Sequence, residues 1–186
     1  RGAIVAESSV LRHPLLVPAL IARLRDGTLS KREVGFVNDA LRRITFEKDC
    51  EGYEAWCAWY DKNRQKSRAQ WLAVAMDEFA QLVTADINEA GAVLKERTLT
   101  ELWNDPLLFP YVEKLAEHKA LHEATILWVA ASFHPCRRET YTPLVAKIIK
   151  ESRSRISDFN YGELVDMGLV NDDERTWPDY LAHKWR

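Results

Sequence analysis

The chain has 186 residues, of which 47% are apolar and 29% charged, and its mean hydropathy is -0.33. That length suits one domain able to bury about 70% of its unfolded surface, and the composition favours neither a disordered nor a membrane class. Twenty-six basic residues against twenty-eight acidic ones leave a formal charge of -2, so DNA meets no whole-molecule attraction and any nucleic-acid role needs a local basic face.

Apolar stretches such as Ile126 to Phe133 fall far short of the ~20 residues that span a bilayer, so no membrane anchor is expected. Cys50, Cys57 and Cys136 supply neither an even disulfide framework nor a CxxC pair. That pattern points to free thiols in a reducing compartment and hence to a cytoplasmic protein. The opening at Arg1, without the apolar core of a secretory signal, is the pattern of a processed product or of part of a longer polypeptide.

Helical spacing recurs along the chain and strict alternation almost never does, which predicts an all-α protein. The first helix is expected from about Leu15 to Arg25, with Leu16, Leu20, Ile21 and Leu24 on one face and a stop at Asp26-Gly27. Ser30-Lys31-Arg32-Glu33 has the capping-box form and starts a second helix, striped by Val34, Val37, Leu41 and Ile44. A short helix carrying Trp56, Trp59 and Tyr60 follows a polar loop. Ser67-Arg68-Ala69-Gln70 then repeats the box before a fourth helix with Trp71, Leu72, Ala75, Met76 and Phe79.

Ile87, Ala90, Val93 and Leu94 mark a fifth helix, and Asp105-Pro106 opens a sixth that runs to about His118. Ala120, Ala124, Leu127, Trp128 and Ala131 stripe a seventh, which His134-Pro135 ends because the residue before proline avoids the helical region. Thr142-Pro143 is expected to open an eighth helix with Leu144, Val145, Ile148 and Ile149. Short helices at Glu163 to Met167 and Trp177 to Trp185 complete the reading.

Pro14-Leu15-Leu16-Val17-Pro18-Ala19-Leu20 is echoed by Pro106-Leu107-Leu108-Phe109-Pro110-Tyr111-Val112, and Thr142-Pro143-Leu144-Val145 opens a helix in a similar way. Each would begin the first helix of a pair. The alternative is chance similarity between proline-started amphipathic helices, since proline is common at helix starts.

Pro18-Ala-Leu-Ile-Ala-Arg-Leu-Arg-Asp-Gly27, with the helix ending Ala40-Leu-Arg-Arg-Ile-Thr45, resembles one unit of a bacterial HEAT-like helical repeat. Trp56-Cys57-Ala58-Trp59 and Ser67-Arg68-Ala69-Gln70-Trp71-Leu72 extend the resemblance, which covers about 14–79 best and 106–151 as generic helix pairs. The family pattern has a glycine after the threonine, where this chain has Phe46. The resemblance implies one domain over 1–186, a right-handed α-solenoid of antiparallel helix pairs with an irregular helical C-terminal cap over about 158–186. It also implies a scaffold that binds macromolecules and has no shared chemistry. The paired tryptophans read as core before they read as a stacking platform.

Few residues suggest chemistry. His118 and His122 stand at i and i+4, as metal ligands on a helix do, but no further cluster completes a site, and a polar bend is the plainer reading. No motif prepares Cys50 or Cys136 as a nucleophile, and His134 reads as an ordinary neighbour of Cys136, so inert thiols are expected. No phosphate loop, nucleophile elbow or dinucleotide fingerprint occurs. Neither a catalytic residue nor a cofactor nor a metal is therefore assigned.

The basic stretch from Lys62 to Arg68, with Arg42, Arg43, Arg137, Arg138, Lys147, Lys150, Arg153 and Arg155, is the one candidate binding stripe. Within it Lys62, Arg64, Lys66, Arg137 and Arg138 are the chosen partner- or phosphate-binding residues. Glu47, Asp49, Glu51 and the run Asp172-Asp173-Glu174 argue for a mixed-charge solvated surface instead. The expected function is a non-catalytic protein-protein interaction module, an adaptor or an immunity-type inhibitor. The competing expectation is a nucleic-acid-binding HEAT-like module, with DNA base-excision glycosylase activity as its enzymatic form.

Overall fold

A computed structural model describes residues 12–170. Among them are nine α-helices: α1 Val17–Leu24, α2 Lys31–Thr45, α3 Gly52–Asn63, α4 Arg68–Ala85, α5 Ile87–Leu99, α6 Phe109–Leu115, α7 His122–Ser132, α8 Arg138–Ser152 and α9 Asp158–Asp166. No strand occurs among the described residues, so the all-α expectation holds. None of these helices is long and apolar enough to cross a membrane. The expected helix from Trp177 to Trp185 lies outside the described residues.

The chain divides into two compact units, Arg1–Ala80 and Gln81–Arg186, and the division falls within α4. In the first unit α1 packs on both α2 and α3. Val17, Leu20 and Ile21 from α1 meet Val37, Ala40, Leu41 and Ile44 from α2, and Trp56 and Trp71 close the cluster. The stripe read from the sequence is thus the buried face, shifted by a few residues at the start of α1, where a 3-10 turn over Pro14–Leu16 precedes the helix. Trp59 is half-buried and stands edge-on to Trp56 at 5.9 Å and to Trp71 at 5.2 Å.

In the second unit α7 is buried nearly all round by Ala124, Thr125, Ile126, Trp128 and Val129, the pattern of a central helix rather than of a one-faced one. It packs against α5, α6, α8 and α9. Ala120 and Ala131, placed on its stripe by spacing, are exposed, because α7 starts only at His122 and buries the neighbouring faces instead. Tyr141 is the aromatic hub, edge-on to Phe109 at 5.3 Å and to Trp128 at 6.1 Å.

α8 departs from the sequence reading. It begins at Arg138, not at Thr142-Pro143, so Pro143 lies inside the helix. An interior proline removes one backbone bond and costs about 3 kcal/mol, but the extra turn buries Tyr141 completely, and the Thr142 hydroxyl donates to the Arg138 carbonyl at 2.9 Å. Burial of a large aromatic is worth a comparable amount.

The helix ends show what local chemistry decides. The Ser30/Glu33 box forms in full, and in the second box Gln70 N–H donates to Ser67 Oγ at 3.3 Å while Ser67 N–H donates to Gln70 Oε1 at 2.7 Å. Past the end of α9, Gly168 (φ 67) closes the helix, with Gly168 N–H on the Val165 carbonyl and Leu169 N–H on that of Leu164, the paired bonds of a Schellman end.

The proline echo has a structural counterpart with one substitution in its membership. His13, Asp105 and His134 each accept a backbone N–H two residues on, each precedes a proline-led 3-10 turn, and each turn runs straight into an α-helix. The third member is His134-Pro135-Cys136-Arg137, not Thr142-Pro143-Leu144-Val145. Thr142 holds the corresponding place before Pro143, but it lies inside α8 and its hydroxyl turns back to the Arg138 carbonyl instead of accepting a backbone N–H two residues on.

Candidate functional site

The five cations chosen from the sequence fall in two places. Lys62 lies in the last turn of α3, Arg64 caps that helix, and Lys66 sits in the turn leading to α4, all three exposed. Their turn is held firmly. Asn63 Nδ2 donates to the Trp59 carbonyl at 2.9 Å, Arg64 N–H to that of Tyr60 at 2.7 Å and Lys66 N–H to that of Asn63 at 2.9 Å. The Trp71 indole N–H also reaches the Asn63 carbonyl, at 3.0 Å, tying the turn to the core. Among the described residues no carboxylate forms an ion pair with Lys62, Arg64 or Lys66.

Arg137 and Arg138 belong to the second unit, at the start of α8, and both are exposed. The Arg138 guanidinium lies over Gly168, where an added Cβ would come within 3.3 Å of it. Two arginines at the positive end of a helix are placed against the macrodipole, which favours anions there.

Three other members of the proposed stripe serve the fold. Arg68 Nε donates to the Ile44 carbonyl at 2.9 Å and its guanidinium covers the Phe46 ring at 4.7 Å, so it caps the end of α2. Arg42 binds Asp39 at 3.2 Å and the Cys50 carbonyl at 3.4 Å. Arg153 binds Asp158 at 3.1 Å and stacks on Tyr161 at 3.9 Å. Lys147, Lys150 and Arg155 are exposed.

The histidine pair is divided between surface and core. His118 is exposed, whereas His122 is fully buried with Nε2 3.0 Å from the Ala116 carbonyl. Their shared helical face does not exist, because α6 ends at Leu115 and α7 begins at His122.

The thiols differ sharply. Burial, and then the Glu47 and Asp49 carboxylates, push the Cys50 thiol up. Cys57 is half-buried and engaged by the Tyr53 hydroxyl, a contact that raises the phenol. Cys136 is exposed, with Sγ 2.9 Å from His134 Nδ1. The sequence held the signal for this pair, a histidine two residues before the cysteine with a proline between, but it becomes informative only once the turn is seen to fold the two side chains together.

Comparison with protein-family models, with curated proteins and with solved structures finds no match to this chain.

Proposed function

We propose that the chain is a non-catalytic protein-interaction module of HEAT-like solenoid type, acting in the bacterial cytoplasm, which docks a partner's acidic side chains on the turn between α3 and α4. The observation that supports this reading most directly is the set of three exposed cations, Lys62, Arg64 and Lys66, on a turn fixed by the Trp71 indole. Fixed presentation matters because a partner then meets donors whose backbone is already ordered, which lowers the entropy lost on binding. An acidic partner would be steered to the turn and held there more weakly as salt rises.

The test is affinity capture with the full chain at low and high salt, beside a variant carrying Lys62→Glu, Arg64→Glu and Lys66→Glu, with the eluate examined for protein and nucleic acid. The reading expects one stoichiometric protein that the charge-reversed chain fails to hold. Capture unaffected by the three reversals would remove the turn from the interface. Recovery of nucleic acid alone, lost as salt rises, would replace the reading with the nucleic-acid one.

A further inference from the structure

Among the described helices of the first unit, α1 alone turns no charged residue fully outward. Its sequence, Val17-Pro18-Ala19-Leu20-Ile21-Ala22-Arg23-Leu24, holds a single charge, and Arg23 is half-buried against Asp26. Val17, Leu20 and Ile21 enter the core, while Pro18, Ala19 and Ala22 are exposed on the other side. Leu15, in the turn just ahead, continues that side at a step of three and is 78% exposed.

A helix at the surface of a globular domain puts charged and polar residues outward, and one that is apolar all round is covered on both sides. α2 and α3 cover α1 on its core side. The second unit shows the ordinary solution after the same kind of proline-led turn: α6 exposes Glu113 and Lys114 beside Pro110, and Leu107 is 45% exposed. The outer face of α1 is therefore a contact surface without its partner in place.

The covering group closest at hand is the chain itself. Residues 1–11 join α1 through Arg12 and His13, and they hold the apolar run Ala3-Ile4-Val5-Ala6 and the pair Val10-Leu11 around a polar Glu7-Ser8-Ser9. Arg12 is in the left-handed region (φ 42), so the backbone bends sharply one residue before the His13 cap instead of running straight into the turn. The face from Leu15 to Ala22 is about 11 Å long at ~1.5 Å per helical residue. Six extended residues reach about 20 Å, so the apolar run can return along the whole face. A segment tethered this closely meets the face at roughly millimolar effective concentration, which sets it ahead of a second copy of the chain in dilute solution.

We propose that the outer face of α1 is the docking surface for the chain's own residues 3–11, with Ile4 and Val5 against Pro18, Ala19 and Ala22. Alanine side chains let the incoming backbone approach closely, and Leu15 forms the ridge at one end of the face. Neither Lys62, Arg64 nor Lys66 takes part, so the surface is distinct from the α3–α4 turn.

The experiment uses the full chain. Hydrogen exchange of the unaltered chain is compared with that of Ala19→Asp, whose substitution falls at an exposed position in the first turn of α1, where a carboxylate favours the helix. Amides of residues 3–11 should exchange about tenfold or more faster in Ala19→Asp, with those of α2 and α3 unchanged as the sign of an intact fold. In parallel, p-benzoylphenylalanine in place of the exposed Ala22 is irradiated at micromolar protein concentration, and the links are mapped by mass spectrometry. They should join position 22 to residues 3–11 of the same chain. Unprotected amides over 3–11 in the unaltered chain, equal protection in Ala19→Asp, or links formed only between two chains would each overturn the proposal. The first of these outcomes needs no variant, so it decides the matter even if a substituted chain fails to fold.

Discussion

Phe46 holds a backbone conformation that a side chain resists. It follows α2 at φ 63 with its N–H on the Arg42 carbonyl, yet its ring is buried under the Arg68 guanidinium. The left-handed conformation costs about 1–2 kcal/mol for a residue with a Cβ, whereas burying the ring returns about 1.5–3 kcal/mol and the cation about 0.5–2 more. Packing therefore wins over the backbone strain. Phe46→Gly should destabilise by about 1–2 kcal/mol and Phe46→Ala by about 1 kcal/mol more, since alanine loses the ring and keeps the strain. Urea denaturation of the two variants reads the order, and alanine ahead of glycine would contradict the account. Asn38 is the polar counterpart: its Oδ1 accepts from the buried Trp56 indole at 2.8 Å and from Gly52 N–H at 3.1 Å, which joins α2 to the start of α3. Asn38→Ala strands both donors and should cost about 3 kcal/mol by urea denaturation. A loss below about 1 kcal/mol would show that the pair of donors does not matter.

At the scale of elements, the chain announced what depends on neighbours in sequence. Both capping boxes, the Asp105 cap and the apolar faces of α1 and α2 were legible because each is settled within one or two turns of helix. Elements governed by distant partners were not. Pro143 reads as a start until Phe109 and Trp128 are seen to hold Tyr141, and Arg68 reads as part of a basic stripe until the end of α2 arrives beneath it. The candidate site shows the same split: the cations of the α3–α4 turn were legible as charge, while their fixing by Trp71 and the closure of His134 on Cys136 were not. The first box also carries a pH dependence. The Ser30 hydroxyl, then its backbone N–H, hold Glu33 below the usual carboxylate range, with Arg23 adding to the effect. A carboxyl depressed in the fold stabilises above its unfolded value of about 4.3 and loses that contribution as pH falls through the folded value. The parent chain should therefore lose more stability between pH 5 and pH 3 than Ser30→Ala does, by thermal melts monitored in the far ultraviolet. Parallel losses in the two would remove the box as a source of acid sensitivity.

At the scale of the molecule, each unit has its own buried centre, Leu41 and Trp56 in the first and Trp128 and Tyr141 in the second, while one continuous helix, α4, runs through the division. Separate cores favour separate opening, because a core lesion is felt through the side chains packed on it. A shared helix favours joint opening, because fraying it exposes backbone groups belonging to both. The sizes decide: Leu41→Ala removes a fully buried side chain and should cost about 2–5 kcal/mol, whereas extending the end of a helix by a turn is worth only tenths of a kcal/mol per residue. Native-state amide exchange of Leu41→Ala should therefore accelerate α1, α2 and α3 by the full loss, roughly thirtyfold or more at 2 kcal/mol, and leave the α7 and α8 amides within about threefold of the parent. Equal acceleration in both sets would mean that α4 binds the units into one cooperative block.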